Sequence, residues 1–212
     1  MSNIFWSGVG VTVQSALATA VTISGITKAS PGVVSHAGTD PSDGDYVLMT
    51  VSGMTKLDSR VFRVANQASG TFELEGEDTT SYDTFTSGTF QVITFGTSLS
   101  TITDVSPSGG EAEKQDTTTI HDTQRRQVPV IASASEFAMT SKFDPSDSAL
   151  AALKTASDSL AQRAVKFTFK GGEKVVFYGY VNFPFVPTGQ SQGLVESPLS
   201  FDVAAPITVY AT

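Results

Sequence analysis

Turn-forming residues recur along the first 93 residues at intervals too short for long helices. Ser30-Pro31-Gly32, the stretch DPSDGD at residues 40–45 and Ala68-Ser69-Gly70 separate runs that are rich in valine, threonine and phenylalanine. Proline fixes φ and glycine supplies positive φ in such turns, so this spacing is typical of a compact all-β unit. The predicted strands are residues 21–28, 45–51, 60–65 and 71–74, and residues 79–89 form a polar connector or a further edge strand.

Composition agrees with a mostly-β fold and narrows the possible functions. The 212 residues include 26 serines, 27 threonines and 14 phenylalanines, which is the usage of strands and turns. The formal net charge is −8 and no basic run is present, which disfavours tight binding to nucleic-acid phosphates. The lack of cysteine excludes disulfides, thiolate catalysis and zinc ribbons.

The sequence gives no indication of export or of a membrane span. No lysine or arginine precedes Lys28, so the positive region of a secretory signal is missing. Residues 11–23 contain too many threonine, serine and glutamine side chains for a hydrocarbon environment. We therefore expect a protein made in a cytoplasm, with no membrane partner.

One helix is predicted, over about residues 144–163. Asp144 fits the N-cap position and Pro145 fits the first helical position. Leu150, Leu153 and Leu160 recur near the helical period and predict one buried face.

The rest of residues 93–212 is predicted to be β-structure around a long polar loop. Alternating residues before and after Gly171-Gly172 indicate a hairpin, and a last strand is predicted near residues 194–203. Between a strand at 95–105 and an apolar run at 128–143, residues 106–127 are predicted to be a structureless loop, which is unusual in a compact domain and often functional. The predicted domains are an N-terminal segment (1–21) of the main domain, a small all-β inserted module (22–92) and the β-sandwich core of the main domain with its one helix (93–212).

Catalytic motifs are not recognisable in the sequence. His121-Asp122 lacks a nucleophile elbow, and adjacent side chains in a strand point to opposite faces. His36 lies in a turn-rich stretch, where a structural role is favoured. We predict that the protein is not an enzyme and that it needs no cofactor.

Two groups of carboxylates are candidates for metal or acid–base sites. Glu73, Glu75 and Glu77 share one strand face by their spacing of two, and a solvated face is the favoured interpretation. Asp40, Asp43 and Asp45 lack the order of a calcium-binding EF-hand, so a turn is favoured. No metal site is predicted.

The order of several short motifs resembles that of the major tail tube proteins of long-tailed, siphovirus-type bacteriophages. The first stretch contains Trp6, QSALATA (14–20), GDYVL (44–48), RVFRVAN (60–66) and TFELEG (71–76). Its inner part is similar to the FCCH-like β module found in phage structural proteins. The second stretch contains DTTTIHDT (116–123), FDPSD (143–147), ALAAL (149–153) and KVVFYGYV (174–181).

This resemblance implies an antiparallel β-sandwich or barrel with one flanking helix. It also implies hexameric rings that stack into a tube through which the genome passes into the host. The expected partners are other copies of the chain, the tape measure, terminator and tail tip proteins, and DNA that moves through the lumen without specific binding. The expected location is the tail of a virion assembled in the host cytoplasm.

The polar loop is the predicted assembly switch between subunits or rings. Its acidic and basic residues could pair between stacked rings, and ordering the loop would be compensated only by a neighbour. The predicted contact residues are Glu111, Glu113, Asp116, Thr117, Thr118, His121, Arg125 and Arg126.

Three alternatives remain open from the sequence. A terminator or connector of related fold would form a single closed ring. A carbohydrate-binding adhesin module could use the serine- and threonine-rich turns with aromatic residues, and a glycosidase could use paired carboxylates.

Overall fold

The computed structural model describes residues 6–211, which form three antiparallel sheets and one helix. This confirms the predicted mostly-β fold with a single helix. In chain order the elements are β1 Gly10–Val13, β2 Ala16–Leu17, β3 Val21–Ile26, β4 Val33–His36, β5 Tyr46–Ser52, β6 Val61–Ala68, β7 Thr71–Leu74, β8 Ser87–Thr94, β9 Thr97–Ser98, β10 Ile102–Ser108, β11 Ala112–Asp116, β12 Gln127–Ala132, β13 Glu136–Lys142, α1 Ser148–Asp158, β14 Gln162–Thr168, β15 Lys174–Asn182, β16 Glu196–Val203 and β17 Thr208–Tyr210.

Six strands of the first half close into a small barrel. The order β3-β4-β7-β6-β5-β8 returns to β3 because β8 pairs with both β3 and β5. The interior contains fully buried Met49, Phe62, Phe72 and Phe90. Strand β8 overlaps the stretch that we predicted to be a connector or an edge strand, and β4 was not predicted. Closure removes the sheet edges that strand addition would need.

The larger sheet carries the second core on one face. Its eight strands follow the order β10-β13-β16-β15-β14-β1-β9, with β17 beside β15. Buried Val165, Phe177 and Phe201 pack with Leu150 and Leu153 of α1. The antiparallel register between β14 and β15 confirms the predicted hairpin around Gly171-Gly172.

The helix begins three residues later than predicted, with its first helical residue at Ser148 in place of Pro145. The carboxylate of Asp147, not that of Asp144, accepts a hydrogen bond from the N–H of Ala149 at 2.8 Å and is the N-cap. Asp144 instead accepts hydrogen bonds from the N–H and hydroxyl of Ser146 in the preceding turn. Within residues 6–211, no helix has the length and apolarity to cross a membrane.

The helix also ends earlier than predicted. Leu160 has φ +50°, and the N–H of Ala161 donates to the carbonyl of Ala156 at 2.8 Å. These are features of a Schellman motif, in which the chain leaves the helix through a left-handed residue. Leu160 is consequently 74% exposed and does not extend the buried face.

The barrel is docked on the larger sheet through a third buried cluster. Tyr46, Val61 and Ile93 of the barrel pack against Val176 and Tyr210 of the sheet. We call this contact the junction. It lies on the face opposite α1, because Val176 alternates with Phe177 along β15.

Candidate assembly interface

The segment that was predicted to be a structureless loop is an ordered hairpin, so that prediction is wrong. Strands β11 and β12 pair antiparallel, with Gln115 opposite Val128 and Asp116 opposite Gln127. Along the chain, β11 comes directly after β10 and β12 comes directly before β13, and β10 and β13 are themselves paired. We call residues 109–135 the arm. At about 3.3 Å per residue, the strands carry the tip of the arm roughly 25 Å beyond the end of β10.

Two glycines with positive φ lie where the arm leaves the sheet. Gly109 and Gly110 have φ +80° and +78°, a conformation that other residues rarely adopt. A Cβ atom on Gly109 would also collide with the carbonyl oxygen of Ala134. The N–H of Gly110 donates to the carbonyl of Ser133 at 3.2 Å, which continues the pairing of the two chain segments between the sheet and the arm.

Hydrogen bonds organise the tip of the arm. The N–H of Arg126 donates to the hydroxyl of Thr118 at 3.0 Å, and the N–H of Thr117 donates to the carbonyl of Arg126 at 2.9 Å. The hydroxyl and N–H of Thr118 hold the pKa of Asp116 below its usual value. The predicted contact residues Asp116, Thr117, Thr118 and Arg126 therefore also build the tip.

Asp122 is a further residue of the tip and is not among the predicted contact residues. Its carboxylate accepts hydrogen bonds from the N–H and hydroxyl of Thr119, each at 2.9 Å, and these lower its pKa. It also pairs with Arg126 at 3.3 Å. Thr119 and Asp122 have the Thr-x-x-acidic spacing of a capping box, in which the acidic side chain reaches back to an N–H three residues earlier, and this is the local signal that could have revealed the turn.

The remaining predicted contact residues are all exposed on the arm. Glu111 precedes β11, Glu113 lies on β11, His121 lies in the tip and Arg125 precedes β12. Within the described residues, neither glutamate forms an ion pair with Arg125 or Arg126 in the same subunit.

The arm also exposes an apolar surface. Val128, Val130 and Ile131 on β12 are 51%, 68% and 66% exposed, and we call these three residues the arm patch. These three residues were not predicted as contacts, because they lie in an apolar run and the usual position of such a run is the core. A two-stranded ribbon with exposed apolar side chains has little internal stabilisation and is typical of a contact surface.

The arm extends from β10, an edge strand of the larger sheet that has no partner strand on its outer side in the described subunit. Strand β10 is the last strand of the larger sheet, and within residues 6–211 only β13 pairs with it. Pro107 lies on this strand, where the missing N–H of proline is tolerated because the edge is unpaired on one side. The edge and the arm together form one long surface available to another chain.

Glu73, Glu75 and Glu77 all have polar partners. The prediction of a solvated strand face is therefore wrong for Glu75 and Glu77, which pair with arginines. Glu77 accepts two hydrogen bonds from Arg60, at 2.6 and 3.2 Å, and both side chains are largely buried. Glu75 pairs with Arg63. Burial and the hydrogen bond to Glu77 raise the pKa of Tyr82. In the described part of the chain, no group of three or more metal-ligating side chains occurs.

Asp40, Asp43 and His36 have structural positions at one end of the barrel. The carboxylate of Asp40 accepts a hydrogen bond from the N–H of Gly70, and that of Asp43 accepts one from the N–H of Gln67. The ring of His36 is buried, with ring centres 5.7 Å from Phe72 and 4.9 Å from Phe90.

Comparison with known proteins identifies a matching family and distantly similar solved structures. The family model of phage tail tube proteins matches residues 52–212. Among solved structures, the tail of an empty GTA particle, obtained by helical refinement with C6 symmetry, is 13% identical; the match covers 56% of this chain and 87% of that chain, with a TM-score of 0.41. A search of curated proteins finds no match.

Proposed function

The chain belongs to the family of phage tail tube proteins, and on that premise we propose that it forms hexameric rings that stack into the tube of a phage tail. The tube is the conduit for genome delivery into the host. A structural family of this kind points to a non-enzymatic role and to a location in the tail of the virion. Assembly in the cytoplasm of a bacterial host is part of the proposal.

The arm is the observation that carries this proposal. It projects from the subunit, exposes its whole length and presents Val128, Val130 and Ile131 to solvent. Within the described residues, nothing in a lone subunit covers this surface, and we propose that a neighbouring subunit does. Glu111, Glu113, Asp116, His121 and Arg125 on the arm are proposed to take part in contacts between subunits or rings.

The charge of the chain supports passage of DNA without specific binding. Each copy carries a net charge of −8, so a ring of copies carries a large negative charge. Like charge repels a polyanion and reduces its contacts with the wall. We propose that genomic DNA slides through the lumen, and that the tape measure, terminator and tail tip proteins contact the tube at its interior or its ends.

Residues 22–92 are proposed to form a module on the outer side of the tube. The closed barrel has its own core, and its strands leave few edges for ring closure. The junction makes this module a fixed part of the subunit. A deletion of the module should therefore be combined with polar substitutions at Val176 and Tyr210, which the deletion would expose.

Electron microscopy of concentrated purified protein tests the proposal. We expect dilute protein to be monomeric or weakly associated and concentrated protein to form long hollow cylinders. Closed single rings at every concentration would support the terminator or connector alternative. Protein that stays monomeric at all concentrations and binds immobilised glycans would support the adhesin alternative.

A further inference from the structure

A second exposed apolar surface lies on the loop of residues 183–195, which joins β15 to β16. Val186, Leu194 and Val195 are 51%, 66% and 50% exposed. We call these three residues the loop patch. Leu194 and Val195 are adjacent in the chain, and exposed apolar side chains that lie together often mark an interaction site.

The loop has a defined shape within the subunit. The N–H of Thr188 donates to the carbonyl of Glu196 at 2.7 Å, and the reverse bond is 2.8 Å long. The N–H of Phe143 donates to the carbonyl of Val195 at 2.9 Å, and the ring centre of Phe143 lies 4.9 Å from that of Phe185. These contacts hold the loop patch in place before any partner binds.

The arm patch and the loop patch lie at opposite ends of the same strands. The arm connects β10 and β13 at the end where Glu136 pairs with Asp202. The loop enters β16 at the other end, where Lys142 pairs with Glu196. Six residue steps of about 3.3 Å put the two ends roughly 20 Å apart.

This arrangement is that of a head-to-tail contact. When two different surfaces at opposite ends of a molecule recognise each other, each added copy presents the same unfilled surface again, so the assembly remains open. We infer that the arm patch of one copy packs on the loop patch of a copy in the next ring. The inference rests on the proposed stacking function and identifies the surface that receives the arm.

The chemistry of the two surfaces is compatible. The sequence QVPVIA of β12 and residues 183–195 contain no charged side chain. Their contact therefore buries no charge that would need a partner. Arg125 and the other charged residues of the arm then lie at the rim, where charge governs the choice of partner more than the affinity.

Cross-linking through introduced cysteines tests the contact, because the chain has no cysteine of its own. Cylinders are assembled from subunits carrying both Ile131→Cys and Leu194→Cys and are then treated with a short bis-maleimide. We expect a ladder of covalent multimers on a denaturing gel. Subunits carrying Ile131→Cys with Ser69→Cys, an exposed barrel residue, are the matched control and should give no ladder.

The outcomes separate this inference from the proposed function. Leu194→Asp combined with Val195→Asp should keep the thermal unfolding of the free subunit and abolish cylinders while leaving rings. Cylinders of parental length from that variant, or dimers from Ile131→Cys alone, would overturn the inference and leave the tube function intact. If the parent chain itself forms no cylinders, both the proposed function and the inference are wrong.

Discussion

At the scale of single residues, the ion pair between Arg60 and Glu77 is the most consequential polar contact of the barrel. Both side chains are nearly excluded from solvent, at 10% and 12% exposure, and Tyr82 donates a further hydrogen bond to Glu77 at 2.6 Å. Removing one partner of such a pair leaves the other charge buried and uncompensated.

Glu77→Gln is therefore expected to lower the free energy of unfolding by about 3 kcal/mol. Urea denaturation followed by circular dichroism measures the change. The matched control is Glu73→Gln on β7, where the carboxylate accepts a solvent-exposed hydrogen bond from Asn66. The control should change stability by less than about 0.5 kcal/mol. Equal effects for the two variants would contradict the assignment of a buried pair.

At the scale of elements, the end of α1 contains a strained residue. Leu160 adopts φ +50° and is 74% exposed, so it bears the steric cost of the left-handed conformation and gains little from burial. The predicted helix included Leu160 because the prediction rested on helical periodicity. Periodicity does not indicate where the chain must turn to reach β14.

Leu160→Gly is expected to stabilise the free subunit by about 1 kcal/mol, because glycine adopts positive φ without a Cβ clash. The melting temperature measured by calorimetry should rise. Leu160→Ala removes the same exposed side chain but keeps the Cβ, so it should give no comparable gain. A gain of similar size with alanine would show that side-chain exposure, and not backbone strain, is the cause.

At the scale of the whole molecule, the junction joins the barrel to the larger sheet. The N–H of Arg63 donates to the hydroxyl of Tyr210 at 2.6 Å, and the hydroxyl of Thr208 donates to the carbonyl of Val61 at 3.0 Å. Burial raises the pKa of Tyr210, so its hydroxyl stays protonated at neutral pH. The last strand of the chain thus links two cores that are distant in sequence.

Tyr210→Phe is expected to lower the free energy of unfolding by about 1–2 kcal/mol, because the partly buried N–H of Arg63 loses the hydroxyl that accepts from it. Tyr210→Ala should in addition separate the unfolding of the barrel from that of the sheet, which would appear as two transitions in calorimetry. Tyr180→Phe, at a residue 46% exposed, is the control and should be neutral. A single transition in the alanine variant would show that the two cores remain coupled through other contacts.

Local chemistry was enough to predict several elements of this fold. Turn residues delimited β7 and the β14–β15 hairpin, and helical spacing identified the buried Leu150 and Leu153. These features depend on residues close together in the chain, so the sequence determines them. The assembly role of the polar stretch stays a prediction, and its predicted structureless conformation was wrong.

Only the tertiary structure decided which distant residues meet. Closure of the barrel through β8, the pairing of Glu77 with Arg60 and the exposure of Ile131 depend on strand register between remote segments. A valine- and isoleucine-rich strand has the same pattern whether it enters a core or projects into solvent. The physical reason is that burial is a property of the assembled surfaces around a residue, and the residue's own neighbours in sequence do not specify it.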